Sequence, residues 1–353
     1  MMGGILIRQI LLYIIATLLL IMIIANFKLK ESPSPFIENL KKLELSLWLV
    51  DWNLEASIEE AVNTGDGVDN YQLFSTYFDE GNNLYQTEDG KQLIEQAFSN
   101  NSFADHNIYL TIINDQFLSE NQVNQKDSEL LRKILSSNTT IEEHIQQIIH
   151  TAKQFPFDGV ELDYEKIPEN LILSYTTFLE ELNNELKMNN LSLRVVLEPS
   201  FPIESVSLPQ DIQYVVMAYN LYGYHSGPGP KANYEFLEKL TNKLSKTNHD
   251  INIALATGGF IWNDQYTDSL TEQEVEKIVQ DYQVHPTRDS NSDAMHFTFI
   301  DNENIKNEVW YADASTLQSW INYLNNKNFH KISIWRAGGL STNTLNLFKL
   351  HSM

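Results

Sequence analysis

The sequence predicts an α/β chain folded as a TIM (β/α)8 barrel, with a small insertion between strands 7 and 8 and an N-terminal transmembrane helix ahead of the barrel. Three observations lead there. From about Leu45 onward, short apolar runs alternate with amphipathic stretches, the signature of βα units around a parallel sheet. Eight such runs fit into roughly 300 residues, and a barrel of this kind takes about 250 before insertions. Before them, Gln9 to Phe27 is a run of nineteen residues without a charge, close to the roughly 20 that carry a helix across a bilayer.

The elements follow in chain order. Residues 1–30 are expected to form the membrane segment, because the apolar core of a cleaved signal peptide runs only about 7–15 residues. Cleavage after Ala25 would also place Ile23 where a small residue is preferred. The expected location is therefore the cell membrane, single-pass, with the barrel extracytoplasmic; secretion after signal cleavage is the alternative. Arg8 flanks the run on one side and Lys28 and Lys30 on the other, a balance that leaves orientation open. Residues 31–43 hold two prolines and mixed charge and read as a linker. The barrel is expected over 44–353.

Its strand candidates are Leu45–Trp52, Tyr71–Phe78, Ile108–Ile113, Gly159–Glu165, Leu191–Glu198, Ile212–Tyr219, Ile251–Ala256 and Lys331–Trp335. Thr140 with Glu143 forms a capping-box pattern opening a helix towards Lys153. Tyr234–Lys246, Glu272–Tyr282 and Ser315–Asn326 carry apolar residues at helical spacing. The stretch 262–312 is too long for one connection. With a helix and the strand-like pieces His296–Ile300 and Glu308–Tyr311, it is the expected insertion.

Composition narrows the partners. A formal net charge of -23 repels nucleic acid, whose phosphates need Lys and Arg for affinity, and argues against a polybasic membrane-surface site. With no cysteine, disulfides, Cys-ligated zinc and a thiol nucleophile are excluded. There is no HExxH or EF-hand pattern, so no metal is expected, and Gly258-Gly259 lacks the spacing of a phosphate-cradling loop. No cofactor is expected, and the chain is expected to act as a monomer.

The chemistry concentrates in Phe157-Asp158-Gly159-Val160-Glu161-Leu162-Asp163-Tyr164-Glu165. Side chains alternate faces along a strand, so Glu161, Asp163 and Glu165 share one face. In a barrel strand that face points inward, and active sites assemble at the C-terminal strand ends. Carboxyls crowded there repel one another, which keeps at least one protonated near neutral pH, the state a general acid requires. An acidic alternation alone would equally suit a solvated edge strand or a divalent-cation site.

Residues 158–165, DGVELDYE, resemble the DGxDxDxE signature of glycoside hydrolase family 18, the chitinase-like and N-acetylglucosaminidase-like enzymes. Other landmarks fall in the family's order. Met217-Ala218-Tyr219-Asn220 resembles its MxYD stretch, Ser226–Pro230 its SGPGP loop, and Ile334-Trp335-Arg336 its eighth-strand segment. Glu308–Asp313 (EVWYAD) is similar to the EVWFED-type stretch of the branch with spore-cortex and peptidoglycan glucosaminidases. The resemblance spans roughly residues 45–350. It implies a retaining hydrolase of β-linked N-acetylglucosamine-containing glycans, peptidoglycan or chitin-like, in which the substrate's 2-acetamido oxygen replaces an enzyme nucleophile. Glu165 is then the acid and Asp163 the residue that holds the acetamido group. Glu161 tunes Asp163 from below, Tyr219 bonds the acetamido carbonyl, and Met217 and Asn220 belong to the same strand end. Trp335 floors the sugar at the cleavage point.

Two positions depart from the family pattern. Glu161 stands where Asp is usual, and Asn220 replaces the Asp of MxYD. Because an amide still hydrogen-bonds, a shifted pH optimum is expected rather than inactivity. Two other functions compete: a catalytically weak glycan-binding protein of the same fold, and a metal-dependent barrel hydrolase ligated by the acidic cluster. Among the aromatic residues, Trp48 is expected to pack the barrel and Trp52, at a strand end, to serve as a sugar platform. Trp262 and Trp320 are assigned to packing. Trp310 and Tyr311 either line a subsite or pack the insertion. His225 could touch substrate but is expected to be solvated, and Asn114-Asp115 could contact sugar hydroxyls but is expected to make a turn.

Overall fold

A computed structural model describes residues 43–119 and 122–351. The predicted transmembrane segment over 1–30 and nearly all of the linker lie outside the described residues. No helix among the described residues is long and apolar enough to cross a membrane.

The strands are, in chain order, β1 (Glu44–Val50), β2 (Asn70–Phe78) with its short partner β3 (Leu84–Tyr85), and β4 (Asn107–Ser119) with its hairpin partner β5 (Gln122–Asn124). β6 (Gly159–Asp163), β7 (Ser192–Leu197), β8 (Gln213–Met217) and β9 (Asp250–Ala256) follow. After them come β10 (Gly258–Trp262), β11 (Thr267–Leu270), β12 (Thr287–Arg288), β13 (Met295–Ile300), β14 (Lys306–Ala312) and β15 (Lys331–Trp335). Eight of these, β1, β2, β4, β6, β7, β8, β9 and β15, pair in parallel with their neighbours in chain order. The β1–β15 pairing closes the ring. The expected (β/α)8 barrel is what the chain forms.

Inside the barrel the period-two alternation produces two kinds of layer. Trp48, Phe74, Ile113, Val196, Val215, Met217 and Ala254 pack into an apolar cluster near the mouth. One pleat deeper, Ser46, Gln72, Thr111, Glu161, Arg194, Asn252 and Ser333 are buried polar residues. A wholly apolar lining would need no such partners. Here Glu161 and Arg194 satisfy each other.

Several boundaries differ from the sequence-based expectation. β1 ends at Val50, and Asp51–Asn53 turns as a single 3-10 loop. β6 ends at Asp163, leaving Glu165 two residues beyond the ladder. β4 runs six residues past Ile113 and folds back as β5, so Asn114-Asp115 is strand rather than turn. The helix at Asn138–Ala152 is capped by Ser137, whose capping box closes with Thr140; Thr140 and Glu143 are not the pair.

The insertion starts earlier than position 262. Strands β10 to β14 make a five-stranded antiparallel sheet in the order β11-β10-β14-β13-β12, beside the helix Glu272–Tyr282. Its core includes Ile261, Val275, Phe297, Phe299 and Val309. The chain leaves the barrel through Gly258, at a φ of +59°, and Gly259, where a Cβ would sit 1.8 Å from the carbonyl oxygen of Trp310. Only glycine satisfies the first conformation cheaply and the second contact at all.

Candidate active site

The site is built around the end of β6. Glu161 lies deepest and is fully buried. It accepts from Trp48 Nε1 at 2.6 Å, Thr111 Oγ1 at 3.0 Å and Arg194 Nε at 2.9 Å. Burial pushes its carboxyl up and Arg194 opposes that shift. Arg194 in turn donates to Gln213 and to Ser333 Oγ at 3.1 Å. Glu161, grouped from the sequence with the substrate-binding residues, is therefore sealed beneath the cleft and does not line it. Its charge is felt by the mouth only through the barrel interior.

Asp163 and Glu165 stand at the mouth, their side chains 9% and 21% exposed, and Lys126 bridges them, its Nζ 2.9 Å from a carboxylate oxygen of each. Burial first, then the Asp163 carboxylate, push Glu165 up to about 7 against the pull of Lys126; Glu198 adds to the rise. Glu165 thus keeps its proton up to about pH 7 and titrates near neutrality. Burial works against the charge on Lys126, but Asp163, Glu165 and Asp115 outweigh it and hold the ammonium above its usual value. The other oxygen of Asp163, Oδ1, is buried and has no hydrogen-bond partner among the described residues.

The peptide of Glu165 is held on both sides by one side chain. Asn114 Oδ1 accepts from its N–H and Asn114 Nδ2 donates to its carbonyl, both at 3.0 Å. Asp115 Oδ1 accepts from the Lys126 N–H at 2.8 Å, and Lys126 Nζ lies 5.5 Å from the centre of the Phe74 ring. The β4–β5 hairpin therefore supplies both the clamp on the acid and the cation beside it. Asn114, Asp115 and Lys126 were not identified as functional from the sequence. The only local signal was an extra apolar pair, Phe117 and Val123, flanking the hairpin.

The remaining predicted residues converge. Met217, Tyr219, Asn220, Trp335 and Trp52 line one cleft with Asp163 and Glu165, of about 750 Å³. Burial, then the charges of Asp163, Glu165 and Glu161, push the Tyr219 phenol well above its usual value, so it remains a donor. Asn220 is exposed, with a φ of +58°. Trp335 packs against Trp48, Phe74 and Trp52 at ring-centre distances of 5.8, 5.1 and 6.2 Å. Trp52 is 52% exposed. Asp51, buried beside the cleft, is pushed up by burial and accepts from Tyr77 and Thr87 at 2.8 and 2.7 Å.

Elsewhere, Trp262 and Trp320 are buried. Trp310 stacks on His296 at 4.4 Å, and Tyr311 packs against the insertion core; neither lines the cleft. His225 is exposed. The acidic cluster does not gather as a ligand set. Glu161 is committed to Arg194, the other two carboxylates share Lys126, and no group of three or more His, Cys, Asp or Glu among the described residues could hold a metal ion.

Two carboxyls bridged by one ammonium at the rim of a closed (β/α)8 barrel, one of them raised to about 7, beside indole rings, are suited to acting on glycosidic bonds. The model for glycosyl hydrolases family 18 matches residues 124–339, more than half of the chain. The chain belongs to glycosyl hydrolases family 18 and is a glycoside hydrolase. Among its relatives are an uncharacterized glycosylase, YvbX, of Bacillus subtilis, 21% identical over 61% of this chain and 67% of that protein, and the cortical fragment-lytic enzyme of B. subtilis, 23% identical over 62% of this chain and 55% of that protein. The chain thus spans little more than half the length of the second. The crystal structure of the Bacillus cereus spore cortex-lytic enzyme SleL shares the fold, with a TM-score of 0.73, 17% identity and coverage of 88% of this chain and 74% of that one.

Proposed function

We propose that this enzyme hydrolyses β-linked N-acetylglucosamine-containing glycans with retention, using the substrate's own 2-acetamido oxygen as nucleophile. One observation carries this reading. Asp163 Oδ1 is a buried acceptor with no partner among the described residues, placed beside an acid that keeps its proton to about pH 7. An unpaired buried acceptor is costly, and an acetamido N–H would satisfy it. Glu165 then protonates the leaving oxygen and later activates water. Asp163 orients the acetamido group and stabilises the oxazolinium charge. Tyr219, whose hydroxyl is a donor at the same mouth, bonds the acetamido carbonyl, and Trp335 carries the sugar ring.

Peptidoglycan is the first substrate candidate and chitin the second, since a relative is named as a cortical fragment-lytic enzyme. We further propose that residues 1–30 anchor a monomeric enzyme in the cell membrane with the barrel outside, the apolar run being long enough to span. Alkaline-phosphatase fusion after residue 43 tests that orientation, and an inactive fusion would reject it.

The full-length chain incubated with chitooligosaccharides and peptidoglycan tests the chemistry. Glu165→Gln should lower turnover at least about 100-fold while glycan binding persists, and the first-formed product should be the β-anomer by NMR. Near-wild-type cleavage by the variant, or an α-anomer, rejects the assignment. Chelator should leave the rate unchanged; loss of activity would restore the metal-dependent alternative.

A further inference from the structure

Two cations line the cleft without a carboxylate partner among the described residues. Lys231 is buried, with Nζ donating to the Thr257 carbonyl at 2.7 Å and lying 5.3 Å from the centre of the Phe260 ring. Arg336 is half-buried, its guanidinium 5.4 Å from the centre of the Trp52 ring and Nη1 donating only to the carbonyls of Ala337 and Gly338. The two are close enough that Arg336, after burial, helps push the Lys231 amine down to about 7.

The carboxylates whose charge these cations feel, Glu272 for Lys231 and Glu60 and Glu274 for Arg336, are already committed elsewhere. Glu272 accepts from Ser341 N–H and Thr344 Oγ1 at 2.9 and 2.7 Å. Glu60 accepts from the N–H groups of Gly338, Gly339 and Leu340 at 2.6, 2.8 and 3.0 Å. Glu274 caps its own helix through Thr271. In a chain with a formal net charge of -23, two basic side chains line the same cleft without a carboxylate of their own among the described residues. A buried base is costly to charge without a counter-ion.

We propose that Lys231 and Arg336 form an anion subsite that takes a carboxylate carried by the glycan next to the scissile N-acetylglucosamine, as the lactyl ether of N-acetylmuramic acid would supply. The proposal rests on the N-acetylglucosaminidase reading above and narrows its substrate to an acidic glycan. A guanidinium edge matches a planar carboxylate in a bidentate fashion. The indole faces of Trp52 and Trp335 beside it suit a sugar-borne carboxylate better than a free anion. Binding it would draw a proton onto Lys231.

The test compares three tetrasaccharides with the full-length enzyme: alternating N-acetylglucosamine–N-acetylmuramic acid with free carboxyls, its methyl ester, and neutral chitotetraose. The wild type should favour the acid over the ester by about tenfold or more in kcat/KM, as expected for charge-assisted hydrogen bonds, mainly through KM. The preference should shrink as salt rises. Arg336→Gln and Lys231→Met should each bring the acid-to-ester ratio close to one, and Arg336→Lys, which keeps the charge, should preserve part of it. Equal rates on acid and ester in the wild type, or an Arg336→Gln loss of the same proportion on both, overturns the subsite. If none of the three is cleaved, or Glu165→Gln cleaves them like the wild type, the underlying reading falls and the subsite falls with it.

Discussion

The floor of the barrel and its mouth hold the same chemistry in two different states. Both carry a carboxylate from β6 with a cation 2.9 Å away. At the floor, Glu161 has three donors on its two oxygens and Arg194 spreads over Glu161, Gln213 and Ser333. At the mouth, Lys126 is divided between Asp163 and Glu165, and Asp163 Oδ1 has no donor among the described residues. The Glu161–Arg194 pair is fully bonded and holds the barrel together. The mouth retains bonding capacity, and that unused capacity is what a substrate can fill. Ion pairs of equal length thus serve opposite ends.

Three substitutions sharpen or break this contrast. Arg194→Met leaves Glu161 buried without its counter-ion, which typically costs about 3–5 kcal/mol; chemical denaturation should show this loss. A loss below about 1 kcal/mol would mean that the Glu161–Arg194 pair does not hold the barrel as described. Asp163→Ala should act the other way, sparing stability while lowering kcat by roughly 100-fold with a smaller change in KM, because its partner is gained mostly in the transition state. A change confined to KM would place Asp163 in ground-state binding.

The smallest expected effect is a shift in pH profile. Lys126 favours the ionised form of Glu165, whose pKa is raised to about 7. Activity that needs the protonated acid is therefore present below that value and lost as pH rises through it. Lys126→Met removes the opposing charge, so the alkaline limb of kcat/KM should move to higher pH. An unmoved or lowered limb would show that Lys126 does not set the acidity of Glu165.

The sequence revealed the barrel because it is a repeating pattern: eight apolar runs separated by amphipathic stretches. It was less informative where tertiary contacts decide a boundary. Residue 52 leaves the first strand because the chain turns at Asp51, and β4 outruns its barrel partners because β5 returns along it. Glu165, Asp163, Tyr219 and Trp335 were legible because they fall within local motifs at strand ends. Lys126 and Arg194 were not. They lie 37 and 33 positions from the carboxylates they bond, with no spacing to announce the pairing. The role proposed for Lys231 and Arg336 was invisible for the opposite reason: it rests on partners they lack among the described residues, and a missing contact leaves no trace in a string of letters.

The ring is sealed by its two ends. β1 pairs with β15, and Glu60, in the first helix after β1, grips the turn at Gly338–Leu340 that follows Trp335. The opening strand of the domain therefore has no second neighbour, and the indole floor no support, until β15 has been made. On this architecture a glycoside hydrolase assembles its cutting edge last.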